Sequence, residues 1–252
     1  MRASAKITAA CLLGALVLMP RPVAAADLVI LTNQGATPGV KELAAAFQRA
    51  SGHKVTVMQV EGDALERRIA SGAADLVTAN PPAIDDLVKK GKVVATTVTP
   101  FVLAGLGLSV RAGVAKPDIS TVEAYKATLL AAKSIGYSRG CSGTNVAEGI
   151  AQLGLTEQLK GKTIFTSGGP VADALARGDF EVGIQQTNIM VDVPGTVYVG
   201  PLPGALNKPC PSSVALLKTS KEPDAARAMI RFMISPEAAP LLRKTHVEPA
   251  RP

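Results

Sequence analysis

The sequence predicts an α/β protein in which mostly parallel sheets carry helices on their faces. Two observations carry that prediction. Short β-branched runs alternate with helical stretches three times between Leu28 and Gly91. Three small polar loops, at Thr32–Thr37, Ser138–Asn145 and Thr166–Pro170, each follow a strand-like run and lead into a helix. A strand, a polar loop and a helix N-terminus make a place where orphan backbone N–H groups and the helix dipole both favour an anion.

The first residues read as an export leader rather than as fold. Arg2 and Lys6 supply a positive start, Ile7–Met19 is apolar but too short to span a bilayer, and Ala24-Ala25-Ala26 is a small-residue cleavage site. The leader is therefore residues 1–26, with the mature chain starting at Asp27. Cys11 lies inside the apolar stretch, which excludes it as a lipid-anchored N-terminus. No later stretch is long and apolar enough for a transmembrane helix, so no stable membrane insertion is expected.

Removing 26 of the 252 residues leaves 226, enough for one large core or two small ones. Arg2, Lys6 and Arg21 leave with the leader, which lowers the net charge from +7 to +4. A mild positive balance suits an anionic ligand without identifying one. There is no dense basic stripe and only 3% aromatic content, so no nucleic-acid partner is expected. Cys141 and Cys210 are the cysteines left to an exported chain; a disulfide between them is the default in an oxidising compartment, and two unpaired thiols are the rival. With no CxxC and only His53 and His246 as histidines, neither a metal nor another cofactor is expected.

Taken in order, Leu28–Leu31 is a buried strand, and Val40, Leu43, Ala44 and Phe47 space the apolar face of a helix from about Val40 to Arg49, with Pro38 at its first turn. Val55, Val57 and Val60 alternate as a second strand. Asp63 is read as the N-cap of a helix over Ala64–Ala70 that Gly72 stops. Asp75–Ala79 is a short strand, and a helix over about Ala83–Lys90 ends at Gly91. The apolar, Gly-punctuated run from Pro100 to Val110 is long for one strand and suits a segment passing from one lobe to another. Ser120-Thr121-Val122-Glu123 forms a capping box for a helix to about Ala132. A strand over Ser134–Tyr137, a helix over Val146–Leu153, a strand over Lys162–Phe165 and a helix from Pro170 to about Arg177 follow. Glu181–Ile184 is a strand that ends in Gln185, Gln186, Thr187 and Asn188. Val197–Val199 and the second crossing candidate, Val214–Leu217, are strands; Glu222–Ile234 and Pro236–Lys244 are helices.

The candidate ligand groups sit in the polar loops. The first offers Thr32, Asn33, Gly35, Ala36 and Thr37; the turn after the second strand offers Gly62 and Asp63. The second loop offers Arg139, whose planar fork matches a carboxylate or two oxygens of an oxyanion, with Ser142, Gly143, Thr144 and Asn145. Gly169 and Pro170 open the third helix junction. Gln185 and Gln186 lie at a strand's C-terminal end, where open α/β sheets place ligands. No catalytic residues are assigned: there is no Gly-x-Ser-x-Gly elbow, no HExxH and no His partner for Ser142 or Cys141.

A collinear series of segments extends the reading. It comprises Ala26-Asp27-Leu28, Leu43–Phe47, Ser51–Val57, Ala64–Leu76, Asp86–Gly91, Val214–Lys218, Ala225-Ala226-Arg227 and Ser235-Pro236-Glu237-Ala238-Ala239. In this series the chain resembles the periplasmic substrate-binding proteins of ABC transporters, most closely the molybdate-type subgroup. The resemblance implies a type II fold: two α/β lobes, two crossing strands as a hinge, and a ligand in the cleft. Lobe one would be residues 27–103 plus 214–252, lobe two residues 104–213, and both cysteines would lie in lobe two. It also implies a periplasmic, monomeric, non-enzymatic protein whose partners are a small anionic solute and an ABC permease in the inner membrane. The ligand loops diverge. A family serine in the first loop aligns with Thr32–Thr37, a second serine with Glu61-Gly62-Asp63, and a tyrosine with about Gln186. Those replacements favour a small organic carboxylate over molybdate, tungstate or another oxyanion. A ligand sensor serving a receptor is an alternative from another class; a hydrolase or transferase has no motif behind it.

Overall fold

The computed structural model describes residues 25–166 and 169–250. The leader read in residues 1–26 lies outside them except for its last two alanines, as do Ser167 and Gly168 of the third loop. Ala26 itself belongs to the folded body. Its N–H donates to His53 Nδ1 at 3.0 Å, its carbonyl accepts from Lys54 N–H at 2.9 Å, and it is buried.

The chain opens with β1 (Asp27–Thr32), α1 (Thr37–Ser51), β2 (Lys54–Gln59), α2 (Gly62–Ala70), β3 (Leu76–Ala79) and α3 (Pro81–Lys89). It passes through β4 (Thr99–Ala104) into β5 (Leu106–Arg111). A second set follows: α4 (Val122–Ala131), β6 (Ile135–Tyr137), α5 (Cys141–Gln152), α6 (Thr156–Leu159), β7 (Thr163–Phe165), α7 (Val171–Arg177), β8 (Val182–Gln186) and β9 (Thr196–Pro201). The chain returns with β10 (Cys210–Leu216), α8 (Pro223–Met233), α9 (Ala238–Lys244) and β11 (Glu248–Pro249).

These strands form two sheets, ordered β11-β4-β10-β3-β1-β2 and β7-β6-β8-β5-β9. The parallel pairings are those of the strand–helix repeats: β1 with β2 and β3, and β6 with β7 and β8. The strands next to the crossings, β4, β5 and β10, add antiparallel pairings, so each sheet is mixed. Because side chains alternate along a strand, β1 serves two cores. Leu28 and Ile30 pack with α1, α8 and α9 on one face, while Leu31 joins Ile69 of α2 and Ile84 and Leu87 of α3 on the other. In the second sheet Leu106, Leu108, Ile135 and Ile184 pack against α4, α5 and α6, and Val171 and Leu175 of α7 cover the opposite face with Phe180.

The first crossing is shorter than the sequence suggests. Gly105 alone separates β4 from β5, dividing the long apolar run between the two sheets. Asn207 Oδ1 accepts from Leu106 N–H at 2.6 Å, and it stands 2.9 Å from where a Cβ on Gly105 would lie, so the two crossing segments close on each other there. The return crossing is not at Val214–Leu217. It is the segment 202–209, since β10 already pairs with β4 at Cys210↔Ala104. Helix starts also differ, and those of α2, α4 and α5 have local causes. α2 begins at Gly62 with Glu61 as N-cap residue, which places Asp63 inside the first turn. Thr121, not Ser120, caps α4, its Oγ1 accepting from Ala124 N–H. α5 begins at Cys141 rather than Val146, because Gly143 lets the first turn lie so close to Ser138 that a Cβ would overlap the Ser138 carbonyl oxygen.

Candidate functional site

Between the two sheets lies a cleft of about 630 Å³. By liquid volume that is room for about twenty waters, and it falls in the range of small-molecule sites. The β1–α1 loop, the C-terminal end of β3 and the start of α2 form one wall. The β6–α5 loop, the β7–α7 loop and the end of β8 form the other, with Pro211 and Ser212 of β10 between. Strand ends thus point their loops at the cleft from both sides, as expected for open α/β sheets.

The first wall is built from Asn33, Gln34 and Gly35. Asn33 donates to Ser212 Oγ at 3.4 Å and accepts from Thr78 Oγ1 at 3.3 Å, which fixes its amide. Gln34 N–H donates to Glu61 Oε1 at 2.7 Å. The Gln34 side chain accepts from Gln185 Nε2 at 3.2 Å, while its own Nε2 is buried without a partner among the described residues. The second wall centres on Arg139, whose guanidinium lies 4.1 Å over the Phe165 ring centroid, itself edge-on to Tyr137. Stacking of that kind steers a long side chain while leaving its N–H edge available. Ser138 and Ser142 share a hydrogen bond of 3.1 Å beneath it. Gln185 is almost fully buried, and its Oε1 accepts from Val171 N–H at the start of α7.

Two bonds tie the walls across the floor of the cleft. One is the Gln34–Gln185 contact; the other runs from Asn188 Nδ2 to Gly35 carbonyl oxygen at 2.7 Å. Behind the floor, Tyr198 O–H meets Thr187 Oγ1 at 3.2 Å, and partial burial pushes its pKa up. Cys141 and Cys210 form a disulfide with Cα atoms 6.0 Å apart, and both line the cleft. Both cysteines pack in the core under the second sheet, with Val146, Ile150 and Leu206. The bridge joins the first residue of α5, on the second sheet, to the first residue of β10, in the six-stranded sheet.

Of the residues singled out in the sequence, Asn33, Gly35, Gly62, Arg139, Ser142, Gly169, Gln185 and Gln186 line the cleft. The others are turned to structural work. Thr32 is buried and bonded to Thr78 Oγ1. The N–H groups of Ala36 and Thr37 donate to Asn33 carbonyl oxygen, so they close the first helical turn instead of facing a ligand. Asp63 is exposed and outside the lining. Gly143 packs on Ser138, Thr144 Oγ1 donates back to Gly140, and Asn145 donates to Lys208 carbonyl oxygen at 3.0 Å. Pro170 precedes α7 without entering the lining. Not assigned to the site from the sequence are Gln34, whose amide belongs to the first polar loop, and Thr78 and Asn80. The last two stand at the C-terminal end of β3, so the strand-end rule that found Gln185 and Gln186 reaches them too.

Residues 20–248 match the family model described as bacterial extracellular solute-binding protein. This chain belongs to that family. Among similar proteins, an aconitate isomerase from Pseudomonas sp. is 32% identical across 94% of this chain and 95% of its own. The molybdate-binding protein ModA of Azotobacter vinelandii is 26% identical across 87% of this chain and 88% of its own. The solved A. vinelandii periplasmic molybdate-binding protein superposes with a TM-score of 0.69, at 18% identity, covering 89% of this chain and 99% of that one. PEB3 bound to L-phospholactate superposes equally well, with a TM-score of 0.69 at 16% identity over 88% of this chain and 99% of that one. The fold is therefore the two-lobed, type II binding-protein fold.

For a solute-binding protein of this kind, the described residues contain no helix long and apolar enough to cross a membrane and no group of three His, Cys, Asp or Glu placed to hold a metal ion. Glu61 and Arg139 are the ionisable side chains among the described lining residues.

Proposed function

We propose that this solute-binding protein captures a small organic polycarboxylate in its cleft, acts in the periplasm as a monomer, and delivers the ligand to an ABC permease in the inner membrane. The observation that carries the reading is Arg139, one guanidinium set among amides and hydroxyls in a cleft of about 630 Å³. A bare tetrahedral oxyanion would fill little of that space. A three- to six-carbon acid spans it, with one carboxylate on the Arg139 fork and others on the Ser138 and Ser142 hydroxyls. Lobe closure follows if the ligand binds the closed arrangement better than the open one.

The 32% identity to a protein named aconitate isomerase favours a second reading, in which the bound acid is also isomerised. A shift of a double bond along an unsaturated tricarboxylate needs one proton removed from a methylene carbon and returned at the other end of the allylic unit. It needs no oxidant and no cofactor. Glu61 is the carboxylate in the cleft that could carry that proton.

Calorimetric titration with citrate, tricarballylate, cis- and trans-aconitate, molybdate and sulfate tests the first reading. Incubation of either aconitate in deuterated buffer, followed by proton NMR, tests the second. Binding without interconversion or deuterium uptake leaves a binding protein; interconversion makes it an enzyme. Binding of molybdate alone would overturn the carboxylate reading.

A further inference from the structure

We propose that Glu61 sets the selectivity of this cleft, acting as a built-in anion that excludes compact dianions and accepts a ligand's proton donor. This inference rests on the cleft being the ligand site. Gln34 N–H belongs to the β1–α1 loop, the position where backbone donors would meet an anion. It is already engaged by Glu61 Oε1 at 2.7 Å. Ala36 and Thr37 N–H groups are turned to Asn33 carbonyl oxygen, so two more donors of that loop do not face the cleft. At Gln34, therefore, the cleft meets a carboxylate from the turn before α2 in place of a free backbone N–H.

The carboxylate is placed by its own backbone. Glu61 is the extended residue before α2, and its neighbour Gly62 has φ +56°, a value that a side chain at that position would strain. The turn thus aims Glu61 at the first loop. Its side chain lines the same cleft as Arg139, so the two walls carry opposite charges. A doubly charged oxyanion, or a fully ionised acid group, is repelled at the Glu61 end; a hydroxyl, or an acid group that keeps its proton, donates to it. Specificity of this sort comes from a repulsive element as much as from an attractive one.

The test compares wild type, Glu61→Gln and Glu61→Asp by calorimetry with citrate, tricarballylate and molybdate. Citrate and tricarballylate differ by the central hydroxyl. Glutamine keeps an acceptor for Gln34 N–H but loses the charge; aspartate keeps the charge. Expected is a wild-type preference for citrate over tricarballylate of tenfold or more. It should narrow to within threefold in Glu61→Gln, with molybdate affinity raised at least tenfold, and persist in Glu61→Asp. An unchanged ranking in Glu61→Gln, with wild type still binding a carboxylate, would overturn the role of Glu61 alone. Failure of all three proteins to bind any of the probes would overturn the reading of the cleft, and this inference with it.

Discussion

Replacing both cysteines of the Cys141–Cys210 bridge by alanine should cost this protein a large part of its stability. The bridge closes a loop with a sequence separation of 69 residues. The chain-entropy relation gives about 4 kcal/mol for a loop of that length. For a chain of this size each kcal/mol moves the melting temperature by about 2–4 °C, so the double variant should melt roughly 8–16 °C below wild type. The location adds to the expectation. The bridge fastens α5 to the first residue of β10, and Asn145 Nδ2 touches both sulfurs while bonding to Lys208 carbonyl oxygen. The return crossing is therefore held to the second lobe at its far end. Urea unfolding of both proteins, at equal pH and without reductant, measures the difference. The denaturant slope should also rise, since an uncrosslinked unfolded chain exposes more surface. A loss below about 1 kcal/mol would mean that the bridge does not restrict the unfolded chain in this way. Two free thiols in the unreduced protein would mean that there is no bridge to do so.

Other predictions follow from individual contacts. Arg139→Ala should weaken carboxylate binding by about 1.5–3 kcal/mol, the range for a hydrogen bond to a charged group, with Arg139→Lys recovering part of it; titration calorimetry reads both. Gly143→Ala should destabilise by more than about 2 kcal/mol, since the methyl meets a backbone carbonyl rather than a movable side chain. Gly35→Ala, whose Cβ would stand 2.5 Å from Gln186 Nε2, should leave the fold intact and alter ligand affinity instead, because the far end of a glutamine can give way. Burial pushes the Tyr125 hydroxyl well above its usual pKa. The native state therefore keeps a proton that the unfolded chain loses above about pH 10, and stability should fall there by up to about 1.4 kcal/mol per pH unit. Tyr125→Phe should remove that slope in denaturation curves taken between pH 9 and 11.

The sequence carried the α/β alternation well, because β1, β2 and β3 and their helices follow simple periods and end at glycines and prolines. It located the three loops and the cysteine pair for the same reason: those positions announce themselves by composition. What it could not show was direction. Thr144 and Asn145 look like ligand donors in a line of text, yet α5 starts at Cys141, and one turn of helix sends Asn145 to Lys208 and Thr144 back to Gly140. Asp63 and Glu61 look equivalent until the start of α2 leaves one outside the lining and brings the other onto Gln34. Gly105 reads as an interruption in an apolar run, and only strand pairing reveals it as the point where the chain changes sheets. Segments as short as α6 and β11 hold too few residues for any period to register.

Parallel titrations of wild type and Arg139→Ala with citrate and with molybdate bear most directly on the cleft as a carboxylate site. Wild type should bind citrate saturably and the variant at least tenfold more weakly, with molybdate bound weakly by both. Tight molybdate binding by wild type, with no citrate signal, would make the cleft an oxyanion site instead.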